Sequence, residues 1–80
     1  MRIPRDISGQ DLCKKLEKYG YTITRQKGSH IRLTTQRNGE HHITIPNHNS
    51  LRIGTLSNII QSVANHMEKK KEDIVKELFS

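Results

Sequence analysis

Three short β-branched stretches, separated by two glycine turns, constrain this chain more than any other feature. Tyr21-Thr-Ile-Thr-Arg-Gln26 alternates, with Tyr21 and Ile23 on one side and Thr22 and Thr24 on the other, the period of two expected of a strand with two distinct faces. Lys27-Gly28-Ser29 then reads as a tight turn. His30 to Thr35 alternates again: Ile31 and Leu33 share an apolar face, which puts His30, Arg32 and Thr34 on the other. Arg37-Asn38-Gly39-Glu40 carries the Asn-Gly signal of a two-residue hairpin loop. It leads into His41 to Pro46, with Ile43 and Ile45 inward and His42 and Thr44 outward. Strands joined by turns this short pair antiparallel, so the middle of the chain is a three-stranded meander.

Helical patterns flank the meander. Ser8, with Asp11 three residues later, marks a helix start, the acid lying where the macrodipole favours it. Leu12, Leu16 and Tyr19 then form an apolar stripe, and Gly20 ends the helix. Beyond the turn-rich Pro46-Asn-His-Asn-Ser50, Gly54 precedes Thr55, a candidate N-cap. Leu56, Ile59, Ile60 and Val63 follow at i, i+3, i+4 and i+7. After the polar run Glu68 to Asp73, the apolar residues Ile74, Val75, Leu78 and Phe79 predict a short third helix. The expected fold is an α+β sandwich, its sheet covered by helices on one face and open on the other. His30 belongs to the open face.

Eighty residues hold one small domain, 1–80, which at this size buries roughly 60% of the surface of its unfolded chain. Cys13 is the single cysteine and no C-x-x-C spacing occurs, the pattern of a reduced, cytosolic chain. The segment MRIPRDISGQDL lacks the apolar run of a secretory signal, and no stretch approaches the roughly 18 apolar residues of a membrane span. The reading is therefore of a soluble cytoplasmic protein with no membrane contact. A net charge of +6, from 14 Lys and Arg against 8 Asp and Glu, points to an acidic partner, either nucleic acid or an acidic protein. Tyr19, Tyr21 and Phe79 are too few aromatics for a base-stacking platform.

His30 lies beside Arg25, Lys27 and Arg32 with no carboxylate near it in sequence, surroundings that suit an anion more than a metal. An imidazole both takes and gives a proton near neutrality, so one histidine can draw the proton from a ribose 2′-hydroxyl and let that oxygen attack the adjacent phosphorus. Lys27, Arg32 and the turn amides of Gly28 and Ser29 are the groups nearest in sequence to stabilise charge on the phosphoryl oxygens. The plainer reading of the same residues is an exposed, phosphate-contacting histidine behind an ordinary hairpin turn. His41 and His42 are adjacent and point to opposite faces, and His30, His48 and His66 match no zinc spacing, so no metal or cofactor is expected. Cys13, beside the apolar stripe, reads as a small buried hydrophobe.

Taken together, Pro4-Arg-Asp-Ile-Ser-Gly9, Tyr19-Gly20-Tyr21, Arg25-Gln-Lys-Gly-Ser-His30, Ile43-Thr-Ile-Pro46 and Ile53-Gly-Thr-Leu56 resemble the HicA family of bacterial and archaeal toxins. The resemblance implies a double-stranded-RNA-binding-domain-like fold and a metal-independent mRNA interferase. It also implies that the histidine of the Gly-Ser-His motif, His30, carries the chemistry with Gly28 and Ser29 as its neighbours, and that a HicB antitoxin covers it. The segment Met67 to Ser80 extends beyond the shortest members, and its apolar spacing favours packing on the core. Two rivals remain at this point: a double-stranded-RNA-binding module without activity, and a protein-interaction domain whose basic face meets an acidic partner.

Overall fold

The computed structural model describes residues 3–80. Its order is α1 (Gly9–Leu16, continued by a 3₁₀ turn, Glu17–Tyr19), β1 (Thr22–Lys27), β2 (His30–Thr35), β3 (His41–Pro46), α2 (Ile53–Met67) and α3 (Lys71–Phe79). The sheet is antiparallel in the order β1-β2-β3. This is the expected α+β, helix-strand-strand-strand-helix sandwich with an added C-terminal helix, compatible with a double-stranded-RNA-binding-domain-like fold.

The helix layer follows from the apolar stripes. Leu12 and Leu16 of α1, Leu56, Ile60 and Val63 of α2, and Ile31, Leu33 and Ile45 of the sheet all lie in one buried cluster. Ser8 caps α1 as its spacing predicts, the hydroxyl accepting the Asp11 N–H at 3.0 Å. α3 docks on α2 and buries Ile74, Val75 and Leu78. Burial is worth about 1.5–3 kcal/mol for each side chain of this kind, so the C-terminal extension contributes to the core. Glu77 fastens it further, accepting from the Tyr19 hydroxyl and from Lys69 at 3.0 Å.

Three local expectations are revised, and one side chain on the inward side of the sheet stays exposed. The β2–β3 connection is not a two-residue loop: pairing closes at Thr35 and His41, leaving residues 36–40 between the strands. Asn38 and Gly39 do take positive φ, but the loop is held by α2. Asn38 Nδ2 donates to the His66 carbonyl at 2.7 Å, and His66 Nε2 donates to the carbonyls of Arg37 and Gly39 at 2.9 and 3.0 Å. Thr55 is not the N-cap of α2, which starts at Ile53 behind Arg52. The Leu51 N–H is pinned to the Ile7 carbonyl at 2.8 Å, and the Arg52 carbonyl already accepts the Leu56 N–H, so the first turn closes before Thr55. Ile23 shares the inward side of β1 with Tyr21 but stays 55% exposed, because an edge strand extends past its helical cover. Last, β1 does not alternate through its length: its register shifts between Ile23 and Arg25.

One close approach ties α1 to the sheet. A Cβ on Gly9 would stand 2.1 Å from the Pro46 carbonyl oxygen, and the Gly9 N–H donates to the His48 carbonyl at 2.9 Å. Only glycine lets the N-terminus of α1 meet the end of β3 so closely.

Candidate functional site

The site is built by the β1–β2 hairpin and its irregularity. Strict alternation from Tyr21 and Ile23 would send Arg25 and Lys27 toward the helices. The bulge at Thr24 reverses this: Arg25 pairs with Arg32 and Lys27 pairs with His30. Directly opposed residues share a face, so both cations join Arg32 and His30 on the open side. Bulges are a known means of re-aiming side chains. The turn between the strands has Gly28 at φ +58 with open space where a Cβ would lie, while Ser29 keeps a negative φ. Glycine first with positive φ is the pattern of a type II′ hairpin turn, whose twist matches that of the strands. The Ser29 carbonyl accepts the Asn47 N–H at 2.7 Å, so the turn that carries His30 is held from β3's far end.

Across the sheet the open face therefore runs in rows. The first is Lys27, His30 and Pro46; the second is Arg25, Arg32 and Thr44; the third is Thr22, Thr34 and His42. Lys27, His30, Arg25 and Arg32 are all exposed. The carboxylates at salt-bridge distance from a basic side chain among the described residues are Glu40, against His42, and Glu77, against Lys69, so none of these three cations is paired with a carboxylate. Like charges directly opposite on a sheet are destabilising by about 0.2–1 kcal/mol. The fold nevertheless keeps Arg25 against Arg32 next to Lys27 and His30, which concentrates positive charge on this face. Two grooves lie away from this cluster. One of about 320 Å³ runs between α1 and β1 past Cys13 and Ile23, and one of about 500 Å³ lies beside Pro4, Asp11 and Phe79. His30 is exposed on the sheet surface together with its three cationic neighbours.

The remaining histidines are separated from it. His41 faces the helices, where Nδ1 meets the Tyr21 hydroxyl at 2.8 Å and the ring stacks on His66 at 4.4 Å. Burial, followed by the neighbouring His66 and His42, pushes its pKa below the usual histidine range. Burial raises the Tyr21 hydroxyl to about 12, so it remains a donor. His42 lies on the open face, as the pattern predicts. Among the described residues no group of three or more His, Cys, Asp or Glu is arranged to hold a metal ion. Cys13 is buried and burial pushes its thiol pKa up, which keeps it protonated and a poor nucleophile. The sequence pattern missed the bulge at Thr24 and the polar chain that includes His42; no residue type at Thr24 signals a bulge.

The family comparison matches residues 9–64 to the model described as HicA toxin of bacterial toxin-antitoxin. The chain belongs to the HicA toxin family. That span holds α1, the whole meander and nearly all of α2, including His30, Arg25, Lys27 and Arg32; α3 lies outside it. Membership makes the chain the toxin component of a toxin–antitoxin system and implies an antitoxin partner. No curated protein and no solved structure matches it. Among the described residues no helix is long and apolar enough to cross a membrane.

Proposed function

We propose that this HicA toxin is a metal-independent endoribonuclease that cleaves mRNA in the cytoplasm, with His30 as acid/base. The observation that carries the reading is the open-face cluster in which His30 stands opposite Lys27 and beside the Arg25–Arg32 pair, with no carboxylate among the strand residues of that face. His30 draws the proton from a ribose 2′-hydroxyl, the freed oxygen attacks the adjacent phosphorus, the P–O5′ bond breaks, and the leaving 5′-oxygen takes the proton back from His30. The products are a 2′,3′-cyclic phosphate and a 5′-hydroxyl. Lys27, Arg25 and Arg32 offset charge on the phosphoryl oxygens, and the Gly28 and Ser29 amides are near enough along the chain to add donors. Gly28, lacking a Cβ, lets the phosphate approach the turn.

The same cationic face supports a HicB-type antitoxin as the partner: an acidic surface laid over it would neutralise Arg25, Lys27 and Arg32 and cover His30. The experiment that tests the reading uses two oligonucleotides of one sequence, all-RNA and with a single 2′-deoxy residue at the cut. The all-RNA strand is expected to yield a cyclic phosphate end, and the deoxy strand to stay intact at that position. Cutting of the deoxy strand would remove the 2′-hydroxyl from the mechanism; binding of both with cleavage of neither would leave an RNA-binding module.

A further inference from the structure

The third row of the open face has a chemistry unlike the first two. Thr34 and His42 of that row join the bulge residue Thr24 and the loop residue Glu40 in a hydrogen-bonded chain: Thr24 to Thr34 at 2.9 Å, Thr34 to His42 Nδ1 at 2.7 Å, and His42 Nε2 to Glu40 Oε2 at 2.8 Å. A carboxylate only accepts, so the His42 Nε2–H donates to Glu40, while the ring's other nitrogen is held by Thr34. Gln36 Nε2 donates to the other Glu40 oxygen at 3.4 Å. The result is a carboxylate held in place at the margin of a cationic face, 61% exposed and with lone pairs to spare.

A fixed carboxylate repels phosphate, so this row is unsuited to the ligand the first two rows suit. It is suited to N–H donors. The distance of Thr34 and His42 from His30 is set by the strand, since His30 and Thr34 are four residues apart on β2, about 14 Å at about 3.4 Å per residue; Glu40, in the loop before β3, reaches back to that row through its bond to His42. A nucleotide step has twice as many backbone bonds as a residue, so an extended strand covers that distance in about two nucleotides, with the Arg25–Arg32 row between.

Resting on the ribonuclease reading, we infer that Glu40, positioned by the Thr24–Thr34–His42 chain, reads a base about two nucleotides from the cut, and that guanine is the base it fits. Guanine alone presents two adjacent donors, N1–H and the exocyclic amine, to the two oxygens of a carboxylate. The face is then a track on which the Arg25–Arg32 pair holds an intervening phosphate and Glu40 sets the register.

The experiment moves a single guanine through an oligouridylate and maps the cut. With the wild-type protein the cut is expected to follow the guanine at constant separation, and kcat/KM to exceed that of the all-uridine strand by roughly ten- to a hundredfold. Inosine, which lacks the exocyclic amine, is expected to lose most of that ratio, and Glu40→Gln to bring guanine and uridine close to equality. Cutting that ignores the guanine, or a ratio unchanged in Glu40→Gln, would overturn the inference while leaving the ribonuclease standing. The same strands are titrated against a His30→Ala variant by fluorescence anisotropy. A guanine preference there, in a protein whose wild type cuts nothing, would overturn the ribonuclease and keep the base-reading row.

Discussion

The Arg25–Arg32 pair should cost stability and supply affinity, and one substitution separates the two. Arg32→Thr keeps a β-branched residue on the central strand and removes the like charge opposite Arg25. Relief of a directly opposed pair is worth about 0.2–1 kcal/mol, which for a domain of this size is a rise in Tm of about 1–8 °C. The gain should shrink as salt is added, since the repulsion is between exposed charges. RNA binding should move the other way. Each phosphate contact on a single strand adds about 0.7 to the slope of log K against log salt, so the variant should lose about that much in slope. Arg25→Thr in the same background should add little further stability, because the pair is already broken, but should remove a second increment of slope. The assays are thermal unfolding at two ionic strengths and anisotropy titrations of a single-stranded RNA on the His30→Ala background. A destabilised Arg32→Thr variant with an unchanged slope would refute the reasoning, because the arginine would then be a packing residue and no phosphate would lie on it.

Other expectations follow from the fold. Gly9→Ala should destabilise by about 1–3 kcal/mol through overpacking, since its Cβ would press on the Pro46 carbonyl. Urea unfolding measures this, and an effect below about 0.5 kcal/mol would mean that α1 moves freely over β3. Ile74→Ala, fully buried in α3, should cost about 2–5 kcal/mol; a silent variant would detach α3 from the core. His41 has a depressed pKa in the fold, so the unfolded chain binds its proton more readily. Its contribution is fully present above 6.5 and is lost as the pH falls below that value. His41→Gln should flatten stability against pH in that window, and an unchanged slope would assign it to another group.

Sequence patterning carried the fold because each element has its own period and its own stops. Leu12 and Leu16 recur at helical spacing, Ile31 and Leu33 at strand spacing, and Ser8 and Gly28 mark boundaries that only a few residue types can occupy. His30 was legible for the same reason: it begins a strand whose inward residues are unmistakable, so its own face is fixed. Arg25 and Lys27 were placed near His30 by sequence distance alone, whereas their side of the sheet depends on the Thr24 bulge. A bulge is settled by pairing with β2 and by what lies beneath the edge strand, neither of which is local. Glu40 was read as part of a hairpin turn, because its partner His42 and the Thr34–Thr24 extension become neighbours only when three strands are aligned. The loop length failed similarly: Asn38-Gly39 favours a two-residue turn, but contacts to His66 on α2 outweigh that local preference.

The central claim is that His30 performs the chemistry on RNA without a metal. It is tested most directly by incubating one defined RNA in EDTA with the wild-type protein and with His30→Ala, both checked for folding by circular dichroism. The account predicts cleavage by the wild type alone, with His30→Ala still binding the RNA. Equal cleavage by both proteins, or cleavage by the wild type that EDTA abolishes, would contradict it.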